Sequence, residues 1–351
     1  MKLLFHLGHP AHFHLFKNVI KKFAGRGHEV CIVIKKKDVL EELIKGLGME
    51  YFNILPDGRK DSKLGMLLGV IKQSWRLFLF SKKEKPDILL GSTPAIAHVG
   101  KLLSIPSINL SEDDAKEVML FARITYPFST LILSPKSCDN GKWNSKTIKH
   151  ESYHELAYLH PNHFQPNIDV VRKYLSGEED YFIMRFSGLN AYHDDGISGI
   201  DHQVSLRLIE MMKPYGRVLI SSEKPLSDDL EKYRLNIPPE LMHDFMAFAK
   251  IYIGDSQTMA AEAGVLGTPF IRINDFVGRL GYLNELENVY KLGYGIRPKD
   301  IKDVFPLVSQ LLSTDTHEVW DERRKKMLSE RTDFAEYLTT FLDEYNFKSE
   351  G

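Results

Sequence analysis

The sequence predicts an α/β chain built from two doubly wound parallel-sheet domains. Short apolar runs alternate with longer amphipathic ones along the chain. Glycine and proline stand at the joints between them, and a polar stretch near Pro161–Glu179 separates two α/β series of comparable size. A chain of 351 residues suits about two domains of roughly 100–200 residues each, and 43% hydrophobic residues are enough for two cores.

In the first series the predicted strands are Leu3–Leu7, Glu29–Ile34, Tyr51–Leu55, Asp87–Gly91, Ser107–Leu110 and Thr130–Leu133. Helical periodicity fills the intervals at Phe13–Ala24, Val39–Leu47, Leu64–Lys83, Ala95–Leu103 and Asp114–Ile124. Gly25, Gly27 and Gly48 close helices, and Pro86 and Pro106 precede strands. The second series has strands at Tyr181–Phe186, Arg217–Ser221, Ile251–Gly254 and Phe270–Ile273. Its helical patterns are His202–Met212, Leu241–Ala249, Thr258–Leu266, Tyr282–Leu292 and Ile301–Leu312, followed by an amphipathic tail, His317–Tyr345. Strands alternating with helices mean βαβ units and parallel pairing. The expected domains are 1–165 and 166–351, with the last helix packing back toward the first. Ligands of open α/β sheets sit beyond the carboxyl ends of the strands, so two such sheets facing one another make a cleft.

Composition excludes several classes. The formal net charge is −1, with 46 Lys and Arg against 47 Asp and Glu, so no nucleic-acid partner is expected. Cys31, in an apolar run, and Cys138, in a polar loop, form no ligand or redox pair, which suits a cytoplasmic protein. The N-terminal apolar run stops at His6, too short for a signal peptide, and the most apolar long stretch, Leu64–Phe80, is broken by Lys72, Gln73 and Arg76. That stretch reads either as a core helix with a solvated face or as a basic amphipathic surface for peripheral membrane contact.

Two constellations carry chemistry. The first is "HLGHPAHFH", His6–His14, at the end of the first strand and the start of the first helix. It has Gly8 but no G-x-G-x-x-G, which disfavours a dinucleotide cofactor. No metal is expected: His12 and His14 are two apart on a helix and diverge, and no Cys or H-E-x-x-H pattern assists. Gly8, His9 and His14 are expected to line the loop, where His6, His9 and His14 can equally pack or satisfy backbone groups. His12, at the helix N-terminus, is positioned to act as a neutral general base.

The second is "IYIGDSQTMAAEAGVLGTPFIRIND", Ile251–Asp275. It reads as strand, small-residue turn, helix, Gly267 stop and next strand. The first-turn amides of such a helix attract anions, and Ser256, Gln257 and Thr258 add polar side chains there. Glu262, one turn in, suits a neutral diol; the alternative is a capped helix with a solvated glutamate. Arg185, late on its strand, and Lys224, after Ser221 and Ser222, are candidate diphosphate partners. Asp275 can meet a sugar ring or serve a turn.

The chain resembles a family of glycosyltransferase-like proteins, domain of unknown function 354. The stretches that carry the resemblance are "GHPAHFHLFKNVI" (Gly8–Ile20), "RGHEV" (Arg26–Val30), "KPDILLG" (Lys85–Gly91), "HELAYLHPNHFQPN" (His154–Asn167), "SSEKPL" (Ser221–Leu226), Met242–Asn274 and "GYLNELENVYKLGY" (Gly281–Tyr294). That family is similar to the GT-B superfamily, which implies two Rossmann-like domains, an N-terminal acceptor domain and a C-terminal domain that holds a nucleotide-sugar donor. The layout is similar to the lipid-linked N-acetylglucosaminyltransferase of peptidoglycan synthesis, with Glu262, Gly267 and Pro269 matching its E-x-x-x-x-G-x-P donor helix. The resemblance implies that Glu262 holds a ribose and that His12 is a base. It is similar also to hydrolysing UDP-N-acetylglucosamine 2-epimerases, which place acidic residues where Glu112, Asp113 and Asp114 stand, so Glu112 joins His12 as a catalytic candidate; an acidic first turn of a helix is the alternative.

Together these imply a metal-independent glycosyltransferase without cofactor, acting in cell-envelope or polysaccharide synthesis. It would move a sugar from a nucleotide-diphosphate donor, UDP-linked, to a hydroxyl acceptor, lipid-linked if 64–80 touches the inner face of a membrane. An epimerase or hydrolase, or a non-catalytic nucleotide-sugar-binding protein, is the alternative.

Overall fold

In the computed structural model, described residues are 1–36, 39–46, 48–56, 63–175, 180–186, 200–222 and 225–345, with side chains of 63–68 left undescribed. The first series runs β1 (Lys2–Leu7), α1 (Pro10–Gly25), β2 (Glu29–Lys35), α2 (Leu40–Gly46), β3 (Phe52–Leu55), α3 (Lys63–Glu84), β4 (Ile88–Gly91), α4 (Pro94–Leu103), β5 (Ser107–Leu110), α5 (Met119–Thr125), β6 (Leu131–Pro135) and β7 (Thr147–His150). The second begins with α6 (Ile168–Arg172), β8 (Tyr181–Phe186), α7 (His202–Met212), β9 (Arg217–Ser222), α8 (Asp228–Glu231) and α9 (Met242–Ala247). It continues through β10 (Ile251–Gly254), α10 (Gln257–Leu266), β11 (Phe270–Ile273), α11 (Gly281–Asn288), β12 (Gly293–Ile296), α12 (Val304–Leu312), α13 (Thr316–Glu330) and α14 (Phe334–Glu344).

The chain divides into two compact units, Met1–Tyr158 with Arg331–Gly351, and Leu159–Glu330. The first holds a seven-stranded sheet in the order β3-β2-β1-β4-β5-β6-β7 and the second a five-stranded sheet in the order β12-β11-β10-β8-β9. Every pairing is parallel, as the βαβ alternation predicts. The central strands β4, β5, β6, β10 and β11 are buried throughout, and Leu4, Val33, Ile54, Leu77, Leu89 and Ile96 form one core cluster under α3 and α4. In the first unit α14 packs on α1, where Lys22 pairs with Glu336 and Arg26 with Asp343.

Several elements differ from the sequence reading. β7 and β12 are additional edge strands with weak local signals. β12, "GYGI", is glycine-rich because neighbours occupy the side-chain space: a Cβ on Gly293 would lie 2.4 Å from the Phe270 ring, and one on Gly295 would lie 2.8 Å from Glu287 Oε2. The first helix starts at Pro10 rather than Phe13, because His9 caps it. The Asp114–Ile124 pattern shrinks to Met119–Thr125, so Glu112, Asp113 and Asp114 do not form a first helical turn. The C-terminal tail breaks into α13 and α14, the second capped by Asp333, whose carboxylate accepts the Glu336 amide at 3.1 Å. Cys138 is buried, with Sγ 3.0 Å from the Glu112 carbonyl oxygen, and Cys31 is half-buried. Leu47 and residues 176–179 of the expected joint lie outside the described residues. Among the described residues no helix is long and apolar enough to cross a membrane.

Candidate functional site

Each sheet has one topological switch point, between β1 and β4 in the first unit and between β8 and β10 in the second. Ligands of open α/β sheets bind at the carboxyl ends of such neighbouring strands. The two sequence constellations fall at these two places.

In the first unit, His6 is next to last in β1, opposite Val33 of β2 and Gly91 of β4. It is buried, neither ring nitrogen has a hydrogen-bond partner among the described residues, and burial pushes its pKa down to about 3, with the Lys35 charge adding to the shift. His9 is the α1 N-cap and its Nδ1 accepts the Ala11 amide at 3.2 Å. His14 is half-buried with its ring 5.2 Å from that of Tyr158. These two therefore serve the turn and local packing. Gly8 is buried against Lys35, His6 and His12.

His12 lies in the first turn of α1. Its Nδ1 accepts the Gly8 backbone N–H at 3.2 Å. Burial holds its pKa well below the usual imidazole range, and the neighbouring His9, His6, Lys35 and His154 act in the same direction. The ring is therefore neutral at physiological pH. With Nδ1 occupied as an acceptor, a neutral ring carries its proton on Nε2, where it donates. The general-base role expected from the sequence would, at Nε2, require the other tautomer.

Glu112 follows β5. Its Oε1 accepts the His154 amide at 2.7 Å and its Oε2 lies 3.3 Å from His154 Nδ1. Burial raises its pKa well above the usual carboxylate range, Glu155 and Asp113 raise it further, and the His154 amide opposes them. His154 itself is pushed down to about 3 by burial. Asp113 is raised by burial and by the charge of Asp114, while Asp114 accepts the Asp139 amide at 2.9 Å. The carboxyl end of this sheet thus collects titratable groups whose charged forms burial disfavours. His154 and Glu155 were not singled out as site residues from the sequence. They lie in "HELAYLHP", a stretch the sequence offers only as part of the family resemblance, and only folding brings His154 onto Glu112, 42 residues away in the chain.

The second unit is different in kind. Arg185 is next to last in β8, opposite Ser221 of β9 and Gly254 of β10, and its Nη1 donates to Ser221 Oγ at 2.8 Å. Gly254 is needed there, since a Cβ would lie 2.8 Å from that of Arg185 and 2.7 Å from the Tyr252 hydroxyl. Ser256 is the α10 N-cap and its Oγ accepts the Met259 amide at 3.3 Å. The amides of Gln257 and Thr258, the next residues, show no acceptor among the described residues. Glu262 is buried, not solvated, and His243 Nε2 lies 3.1 Å from its Oε1. His243 is a further residue the sequence reading passed over, because the pairing joins two helices. Asn274 ties the loop after β11 to the α10 turn: it donates to the Asp255 carbonyl at 3.0 Å and accepts from Arg272 at 3.1 Å. Arg272 and Glu287 form a buried ion pair at 2.8 Å beneath it. Asp275 is exposed in the following turn. Lys224 lies outside the described residues. Among the described residues no three His, Cys, Asp or Glu side chains are grouped to hold a metal ion.

Two parallel α/β sheets with these strand orders define a GT-B protein, and solved structures share the fold. Neisseria meningitidis UDP-GlcNAc 2-epimerase bound to UDP-GlcNAc superposes with a TM-score of 0.67 at 14% identity, over 98% of this chain and 100% of its own. S. aureus MnaA with UDP gives 0.70 at 11% identity, over 98% and 96%. The spinosyn rhamnosyltransferase SpnG with spinosyn aglycone gives 0.63 at 13% identity, over 97% and 100%. At these identities the likeness is one of fold. No curated protein matches the sequence. The chain belongs to the family described as "Protein of unknown function (DUF354)", whose sequence model matches residues 1–340.

Proposed function

We propose that the protein is a glycosyltransferase that moves a sugar from a UDP-linked donor to a hydroxyl acceptor. The observation that carries this reading is the second sheet's switch point. Arg185, on β8, stands beside Gly254 where β10 ends and the turn into α10 begins, the amides of Gln257 and Thr258 have no acceptor there among the described residues, and Glu262 lies one turn in. Open helix amides and a guanidinium suit a diphosphate; a buried carboxylate paired with an imidazole suits ribose hydroxyls.

In this reading the first unit supplies the proton chemistry. In its ionised form Glu112, whose proton affinity burial raises, takes the proton of the acceptor hydroxyl, and neutral His12 offers a hydrogen bond from Nε2–H to a substrate oxygen while keeping its proton. The acceptor oxygen forms a bond to the anomeric carbon as the bond to the diphosphate oxygen breaks. The departing UDP carries the electron pair, and Arg185 and the α10 dipole stabilise its charge.

Grouping Glu112 with His154, Glu155 and Asp113 also favours a second reading, acid–base epimerisation or hydrolysis of the nucleotide sugar alone. Thermal shift against UDP, GDP and TDP tests donor binding. A ligand at 100 Kd raises stability by about 2.7 kcal/mol, and UDP is expected to give the largest shift. UDP release from UDP-sugars, with and without hydroxyl acceptors, then separates the readings. Acceptor-dependent release is the expected result; acceptor-free release with an altered free sugar supports the second reading. Stabilisation by UDP-sugar without turnover supports a binding role.

A further inference from the structure

The first unit carries a surface that neither sheet edge explains. α3, α4 and α5 precede β4, β5 and β6 and pack side by side, on the face to which right-handed crossovers bring them. On α3, Ile71, Trp75 and Leu79 recur every four residues and form a stripe about 12 Å long. Trp75 is 60% exposed; Leu102 at the end of α4 and Leu120 on α5 are 72% and 76% exposed. Phe52, on the edge strand β3, stacks on Phe80 with centroids 4.7 Å apart. Beside them lies a hollow of about 520 Å³ lined by Phe52, Arg76, Leu79, Phe80 and Lys83.

All but one of the charged side chains described on these three helices are basic. Lys72, Arg76, Lys82 and Lys83 lie on α3, Lys101 on α4 and Arg123 on α5. Among the described residues of these helices Glu84 is the only acid, and Lys2 holds its carboxylate at 2.8 Å. The whole chain, by contrast, has a formal net charge of −1. Exposed apolar ridges bordered by cations fit an interface with anionic lipid, where rings and aliphatic chains enter the headgroup boundary and ammonium and guanidinium groups meet phosphates. A second copy of the chain fits less well, because a symmetric contact would set these cations against themselves.

We propose that the outer face of α3, α4 and α5 docks the protein on an anionic lipid surface. The assignment concerns this surface alone and holds whichever reaction the sheet edges perform. Its test uses the full chain with vesicles of phosphatidylcholine alone or with about one third phosphatidylglycerol. Co-sedimentation is expected with the anionic vesicles only and is lost as salt approaches about 0.5 M. Trp143 and Trp320 are buried, at 8% and 3% exposure, so a blue shift of tryptophan emission on binding reads Trp75 directly. Trp75→Ser with Leu79→Ser, and separately Lys82→Glu with Lys83→Glu, are expected to weaken binding about tenfold or more at unchanged melting temperature. Three outcomes overturn the proposal: no binding to anionic vesicles, binding without a Trp75 shift, or a solution dimer that Trp75→Ser with Leu79→Ser dissociates. The wild-type salt dependence and emission shift decide the matter even if a variant fails to fold.

Discussion

The two switch points occupy the same place in two similar sheets and have opposite chemistry. At the start of α1 the chain satisfies itself. Pro10 has no amide hydrogen, Ala11 donates to the His9 ring, and the amides of His12 and Phe13 both reach the His9 carbonyl. The preceding Gly8 amide is taken by His12. Little is left there for an anion, and what remains is neutral imidazole. At the start of α10, Ser256 satisfies only the later amides, and Arg185 adds a positive charge from the neighbouring strand. The same topology thus leaves neutral rings at one switch point and open helix amides beside a guanidinium at the other. The difference lies in which side chains cap the helix.

Each half of that contrast can be broken separately. The largest effect is expected from Glu112→Gln, which keeps the shape of the side chain and removes its proton chemistry. Turnover should fall by about 10²–10⁴-fold, while the thermal shift given by UDP stays as in the wild type. A lost thermal shift would place Glu112 in donor binding and erase the separation.

Next comes Arg185→Gln. Charge-assisted hydrogen bonds contribute about 1.5–3 kcal/mol, so UDP affinity measured by calorimetry should fall about tenfold to a hundredfold. Unchanged affinity would leave the amides of α10 as the whole anion site.

The protonation of the first unit is read by melting experiments against pH. Unfolded imidazoles take up protons near pH 6.5, whereas folded His6 and His154 do so only near pH 3. The unfolded state binds more protons in that interval, so stability is full above about pH 6.5 and falls as pH drops toward 3. Each imidazole contributes a slope of up to about 1.4 kcal/mol per pH unit. Glu112 works in the opposite sense: its folded pKa is raised, so it costs stability as pH rises from 4.5 through the folded value. His6→Leu should flatten the acid-side slope; an unchanged slope would mean that His6 is not protonated on unfolding in this range.

The smallest effect is expected from Ser256→Ala. Loss of an N-cap costs about 1 kcal/mol, measured by urea denaturation, and also removes a hydroxyl from the proposed diphosphate site. A stability loss without any change in UDP affinity would confine Ser256 to capping.

Period-two and period-3.6 patterning, with glycine and proline at the joints, is local information, and it was enough to read the parallel α/β halves and to place His12, Arg185, Ser256 and Glu262 at strand ends and helix starts. It failed for β7 and β12, whose short polar or glycine-rich stretches become strands only because a neighbouring edge pairs with them. It also failed for the state of each site residue. That Nδ1 of His12 is an acceptor, that Glu112 meets His154, and that Glu262 is buried beside His243 depend on residues brought together by packing. Burial and neighbouring charge set protonation, and both are properties of the space around a side chain. The sequence therefore determined which groups are available and on which elements. The tertiary structure alone decided which of them are capped, paired or held neutral, because solvent exclusion and pairing act between segments far apart in the chain.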